Sequence, residues 1–271
     1  MRSPVPPLEP GWIIVDGRPL YHRTNTNPVS DGRVIVHVHG FGISGTYLEP
    51  TAALLAGRFR NFVPDLPGMG RSMRPEHRLD LPGLARALMS YCDEVGVERA
   101  TFVGNSLGCP IICEVAESFP DRVERAVLVS PAGGPNNQAI MRAARQMAID
   151  GLREPFSMLP IAVRDYLHFG VVQSLSLFKA MRRFPTIDRI SALTMPTLVV
   201  AGRRDPLVNI DRAHLFGELP HIDVIAVPGA HALNFSDPKL IAALVEAHLD
   251  GLPLRTVDGV LSVVEPLTGR H

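Results

Sequence analysis

Residues 104 to 108 read Gly104-Asn105-Ser106-Leu107-Gly108, directly after the apolar run Ala100-Thr101-Phe102-Val103. A serine between two glycines, with a strand before it and a helix after it, has the form of a nucleophile elbow. Such a turn is tight enough to need small residues on both sides, and it projects the hydroxyl into a cleft. A serine hydroxyl is a weak nucleophile at neutral pH, so a base must take its proton and a third group must orient that base. His231 is the candidate base, because Val227-Pro228-Gly229-Ala230-His231-Ala232-Leu233 sets it in a loop after the last β-branched run and ahead of the final helix. Asp205 is the candidate acid. It follows a strand in Ala201-Gly202-Arg203-Arg204-Asp205-Pro206, and Asp-Pro favours a turn that presents the carboxylate. Among the other histidines, His214 and His248 fall within helix patterns and fit surface positions, while His221 precedes a strand and belongs at the opposite edge.

Attack on a carbonyl would create an oxyanion that needs two N–H donors. Leu107, at the start of the helix after the elbow, supplies one. The loop His39-Gly40-Phe41-Gly42-Ile43-Ser44-Gly45 supplies the second through Phe41 N–H, because its glycines let the backbone approach a ligand closely. Gly40, Gly42 and Leu233, with Met147, Met158 and Phe169 further along the chain, are the candidate substrate-binding residues. A neutral His231 is required as base, so activity is expected to fall off on the acid side of about pH 6.5.

The elements that must hold these groups alternate. Trp12-Ile13-Ile14-Val15 and Arg18 to Arg23 flank an Asp16-Gly17 turn and predict a hairpin, after a proline-rich first ten residues that read as extended and poorly ordered. Val34 to Val38 is a near-continuous β-branched run, suited to a strand covered on both faces. Thr51 to Ala56 predicts a short helix, and Asn61 to Val63 a strand. Asp80 caps a helix whose stripe is Leu84, Leu88, Tyr91 and Val95. Pro110 to Phe119 predicts the helix after the elbow, and strands follow at Ala126 to Val129, Thr197 to Ala201 and Val224 to Val227. Helices are expected at Arg212 to Glu218, capped by Asp211, and from Pro238 to Leu249. Strand-helix-strand repetition means a parallel sheet with helices on both faces, an α/β fold whose sites form at the carboxyl ends of the strands.

Between Pro131 and Met195 the rhythm breaks into helices with no intervening strand pattern, which marks an inserted cap. Most of its Met and Phe residues serve as core positions of short helices, and a minority facing the cleft would line an apolar pocket. The expected division is a core of residues 1–132 and 195–250, a helical cap over 133–194, and an extension over 251–271. A second Asp-Gly turn, at Asp258-Gly259, predicts a small hairpin in that extension.

Lys+Arg and Asp+Glu both number 27, so the formal charge is zero and no basic face for nucleic acid is announced. No apolar run reaches the length of a membrane span, and the start of the chain lacks a signal-peptide core. A cytoplasmic protein acting on a small apolar molecule is expected. Cys109 and Cys113 lie four apart on one helix face and read as buried free thiols. No metal-ligand spacing is present, and neither a metal nor a cofactor is expected.

Taken in order, His39-Gly40-Phe41-Gly42, Asp65-Leu66-Pro67-Gly68-Met69-Gly70-Arg71-Ser72, the elbow, Gly202-Arg203-Arg204-Asp205 and Gly229-Ala230-His231 resemble the α/β-hydrolase superfamily across residues 12–249. The resemblance implies a mostly parallel eight-stranded sheet, a Ser106-His231-Asp205 triad in that superfamily's chain order, an oxyanion hole of Phe41 and Leu107 amides, and a lid where the cap is inserted. It also implies a cofactor-independent serine hydrolase of small or medium apolar esters. Asn105 and Leu107 around the serine are similar to the elbow of hydrolases that cleave carbon-carbon bonds in meta-ring-fission products. That alternative activity needs a basic group for a substrate carboxylate, for which Arg142, Arg145, Arg164 and Arg182 are available. Cys109, where that branch has a further glycine, departs from its pattern. A third reading is a non-hydrolytic role in small-molecule binding or cyclisation.

Overall fold

Runs too apolar to face water on either side form the centre of the sheet. Their strands are β3 (Val34–Val38), β5 (Ala100–Asn105), β6 (Val123–Val129) and β7 (Thr197–Gly202). The computed structural model describes residues 8–26, 31–133, 140–169, 171–207, 219–252, 254–257 and 260–262. With β1 (Glu9–Val15), β2 (Arg18–Thr24), β4 (Arg60–Pro64) and β8 (Ile222–Val227), these strands make one eight-stranded sheet in the order β1-β2-β4-β3-β5-β6-β7-β8. Only β2 runs against the rest, pairing antiparallel with β1 and β4. All other pairings are parallel.

Successive residues of a strand point to opposite faces, and the sheet carries a separate core on each. Val36, Val38, Phe102 and Leu128 pack with the apolar stripes of α2 (Leu81–Glu94) and α3 (Gly108–Ser118). Ile35, Val103, Val127 and Val200 face the other way, toward α1 (Glu49–Leu55) and α9 (Pro238–Leu249). Asp80 accepts a hydrogen bond from Gly83 N–H at 2.8 Å and so fixes where α2 begins. Asp237 does the same for α9 through Leu240 N–H.

Four helices, α4 (Ile140–Arg153), α5 (Leu159–Phe169), α6 (Val171–Arg183) and α7 (Thr186–Ser191), fall between β6 and β7. A four-residue α8 (Leu233–Ser236) precedes α9. At the far end β9 (Arg255–Val257) and β10 (Val260–Ser262) pair antiparallel, while the expected turn at 258–259 lies outside the described residues. Among the described residues no helix is long and apolar enough to cross a membrane.

The Asp16-Gly17 hairpin forms as expected, with φ of 49° and 74° at its two turn residues. Other expectations need correction. β1 begins at Glu9, so part of the segment read as poorly ordered is strand, and Pro10 is tolerated because β1 is an edge. His248 is buried rather than on the surface. The last turn of α9 presses it against the chain just before β7, where Nε2 lies 3.3 Å from Pro196 O, and burial lowers its pKa to about 4. The helix expected at 212–218, its cap Asp211 and His214 lie outside the described residues.

Candidate active site

At the end of β5 the chain turns into α3 within two residues, and Ser106 is held at φ 56° to do so. A left-handed non-glycine residue costs on the order of 1–3 kcal/mol and persists only where its surroundings fix it. Here Ser106 N–H donates to Val129 O at 3.0 Å, and Ser106 O accepts from Cys109 N at 3.1 Å and Ala132 N at 3.2 Å. Close approach explains the flanking glycines. A Cβ on Gly104 would stand 2.6 Å from Ile112 Cδ1, and one on Gly108 would collide with Val38 O.

The loop after β3 lies over this elbow. Gly40 N–H donates to Tyr47 Oη at 2.8 Å, and that hydroxyl donates to Asn105 Oδ1 at 2.7 Å. His39 is buried, accepts Leu66 N–H on Nε2 at 2.8 Å, and donates from Nδ1 to Gly40 O at 2.9 Å. A peptide's C=O and N–H point in opposite directions, so fixing Gly40 O also fixes Phe41 N–H. Neither Phe41 N–H nor Leu107 N–H has a protein acceptor among the described residues. The Asp65-to-Ser72 segment holds the loop from below. Asp65 is fully buried, pairs with Arg23 at 2.5 Å, and accepts Gly45 N–H at 2.8 Å and Arg71 N–H at 2.9 Å.

His231 and Asp205 sit on the loops after β8 and β7. These loops lie side by side because Gly202 has no side chain, since a Cβ there would stand 2.6 Å from Gly229 O. Arg204 N–H donates across to Gly229 O at 2.9 Å. His231 Nδ1 lies 2.7 Å from Asp205 Oδ2, and Leu207 N–H donates to Asp205 Oδ1 at 2.8 Å. Burial alone would raise the Asp205 carboxyl, but the charge and hydrogen bond of His231 hold it below the usual range. Burial lowers His231, and Asp205, Asp150 and Glu154 together outweigh that and raise it to about 9. His231 Nε2 is buried and has no hydrogen-bond partner among the described residues.

Ser106 and His231 line one cavity of about 520 Å³, within the usual range for small-molecule sites. Gly40 and Met158 are on its wall. The other substrate-binding candidates are placed differently. Gly42 and Phe169 lie one layer back, with the Phe169 ring edge-on to Phe41 at 5.4 Å and 1% exposed. Leu233 is fully buried in the core facing α9, where it closes against Gly229. The Met147 side chain lies outside the described residues. Of the four cap arginines, Arg182 lines the cavity, whereas Arg164 pairs with Asp165 at 2.8 Å and Arg142 and Arg145 are exposed.

Sequence reasoning missed several groups around the cavity. His39 and Tyr47 act on the loop backbone; His39 stands in the quoted His39-Gly40-Phe41-Gly42 motif without a role, and nothing in the sequence singles out Tyr47. Asn105 was noticed, but as a mark of kinship rather than for its bonds to Tyr47, Val129 O and His231 O. Asp150 and Glu154 also line the cavity, and Glu154 Oε1 accepts Ala232 N–H at 2.7 Å. Their spacing of four on a helix was the available sign.

The model of the alpha/beta hydrolase family matches residues 35–244. A protein of Mycobacterium phage D29, provisionally named a non-heme haloperoxidase, is 27% identical over 91% of this chain and 97% of its own length. The 2-hydroxy-6-oxononadienedioate/2-hydroxy-6-oxononatrienedioate hydrolase of Paraburkholderia phymatum is 28% identical over 74% of this chain and 84% of its own. Among solved structures, carboxylesterase CesB of Bacillus subtilis superposes with a TM-score of 0.73 at 20% identity, covering 90% of this chain and 92% of that one. At that identity the likeness shows the fold.

Proposed function

The chain belongs to the alpha/beta hydrolase family, and on that premise we propose that it is a cofactor-independent serine hydrolase of small or medium-sized esters, working through an acyl-enzyme. One observation carries the reading. His231 binds Asp205 through Nδ1 at 2.7 Å and keeps Nε2 unpartnered, in the cavity that Ser106 also lines. Ser106 Oγ attacks the ester carbonyl while His231 Nε2 takes its proton, and Asp205 stabilises the imidazolium. Phe41 and Leu107 N–H groups receive the oxyanion. The intermediate collapses as His231 returns the proton to the departing alkoxide, which leaves as the alcohol. Water, deprotonated by His231, then attacks the acyl-Ser106 ester and releases the acid. Helices α4 to α7 act as the cap over this chemistry.

Pre-steady-state hydrolysis of 4-nitrophenyl butanoate tests the acyl-enzyme. The expected result is a burst of one nitrophenolate per protein chain, abolished in Ser106→Ala. Steady turnover by Ser106→Ala at the wild-type rate would overturn the proposal.

Carbon-carbon bond hydrolysis is a second reading, supported by Arg182 on the cavity wall and by the likeness to the Paraburkholderia enzyme. A ring-fission dienoate hydrolysed faster than 4-nitrophenyl butanoate would favour it.

A further inference from the structure

Two carboxylates on the cavity wall act on His231 but are outside the proposed serine, histidine and aspartate machinery. Asp150 and Glu154 stand one turn apart at the end of α4, where Glu154 N–H donates to Asp150 O at 3.0 Å and continues the helical turn. Residues four apart on a helix share a face. Glu154 commits Oε1 to Ala232 N–H. Its Oε2 and Asp150 Oδ1 are buried with no donor at full hydrogen-bond geometry among the described residues, and the backbone N–H of His231 acts only weakly on the two carboxylates. Buried oxygens without donors are uncommon in folded proteins, and each calls for an explanation such as a ligand. The charged groups acting on Asp150 are His231, Glu154 and Asp205, so one cation faces two further carboxylates. Burial raises Asp150 to about 7, with His231 opposing and Glu154 and Asp205 adding to the rise.

A second observation is independent of these carboxylates. His231 is only 8% exposed, its Nε2 also lacks a partner among the described residues, and it lines the same cavity. Much of the remaining wall is apolar, including Phe156, Met158, Leu159 and Phe178. The cavity is therefore a largely apolar chamber, with Asp150 and Glu154 acting on His231 and Arg182 also on its wall.

Resting on the serine-hydrolase reading, we infer that Asp150 and Glu154 form an anionic subsite for a substrate ammonium group. The substrate class is then an ester bearing a primary or secondary amine, joined to the reacting carbonyl by a short apolar chain. An ammonium brings two or three N–H donors, enough for both orphan oxygens. Its charge also offsets the field of the two carboxylates at His231, so the base gives up its proton more readily when such a substrate is seated. A neutral substrate would displace water and leave the carboxylates unpaired, and that penalty is the source of selectivity.

The test compares 4-nitrophenyl 3-aminopropanoate and 6-aminohexanoate with the butanoate and heptanoate esters, in which a methyl replaces the ammonium. One ammonium ester is expected to exceed its neutral counterpart at least tenfold in kcat/KM. In the Asp150→Asn, Glu154→Gln double variant that ratio should fall to within threefold of one. Gln keeps an oxygen for Ala232 N–H while removing the charge. Wild-type protein alone gives a second readout, since pentylammonium chloride should inhibit butanoate hydrolysis at least tenfold more strongly than 1-pentanol. Neutral esters hydrolysed as well as both ammonium esters, or equal inhibition by the two additives, would overturn the subsite and leave the serine-hydrolase reading standing. Failure to hydrolyse any of the four esters, with Ser106 unreactive to a phosphonate, would overturn both.

Discussion

Tyr47 Oη donates to Asn105 Oδ1 at 2.7 Å and accepts Gly40 N–H at 2.8 Å, joining the residue before Ser106 to the loop that carries Phe41. Asn105 Nδ2 continues the chain to His231 O at 3.1 Å. Two buried side chains, Tyr47 and Asn105, thus tie together the loops that would supply nucleophile, base and oxyanion donor.

Tyr47→Phe removes that link and orphans the buried Gly40 N–H. Leaving such a group unsatisfied costs about 1–3 kcal/mol. A misplaced oxyanion donor lowers turnover, by up to the 10²-fold or so that follows loss of a donor. The variant should lose roughly tenfold in kcat with KM little changed, and its urea midpoint should fall.

The pH dependence follows from the charges around His231. With its pKa raised to about 9, the free base is the minority form at neutral pH. Hydrolysis of a neutral ester should rise about tenfold per pH unit below that value. Asp150→Asn removes one of the carboxylates that raise it, so the acid limb should move to lower pH. A kcat/KM profile from pH 5 to 10 measures both.

Stability should also respond to Asp150. A carboxyl whose folded pKa is raised, here to about 7, contributes stability that is complete below the unfolded value near 3.8 and is lost as pH rises through 7. At pH 8 the folded protein therefore holds an unfavourable buried charge. Asp150→Asn is expected to raise Tm by about 2–4 °C at pH 8 and by less at pH 5. Calorimetry at the two pH values checks it.

Gly202 tests the packing of the two loops that carry Asp205 and His231. A Cβ there would meet backbone at Ala230 and Gly229, which cannot swing aside like a side chain. Gly202→Ala should destabilise by about 1–3 kcal/mol and separate Asp205 from His231, lowering kcat more than it raises KM.

Much of this arrangement is legible in the sequence where a local rule decides the outcome. β-Branched runs mark β3, β5 and β7, Asp80 marks the start of α2, and Gly104 with Gly108 marks the elbow, because each rests on neighbours within one turn or strand. Gly40 on the cavity wall follows from the same kind of rule. The misses are long-range. Leu233 looks available from its place beside His231, yet Gly229 lets it fold into the core, and His248 is buried only because α9 lies across the sheet against Pro196. Asp150 and Glu154 carry no sequence signal beyond a spacing of four. That α4 turns them toward His231 depends on how helix and sheet pack, which no window of sequence contains.

The central claim is that Ser106 is the nucleophile. Treatment with a fluorophosphonate, followed by proteolysis and mass spectrometry, tests it most directly. One label per chain is expected, on the peptide containing Ser106, with the rate of labelling sharply reduced in His231→Ala. Stoichiometric labelling at any other residue, with Ser106 unmodified, would contradict it.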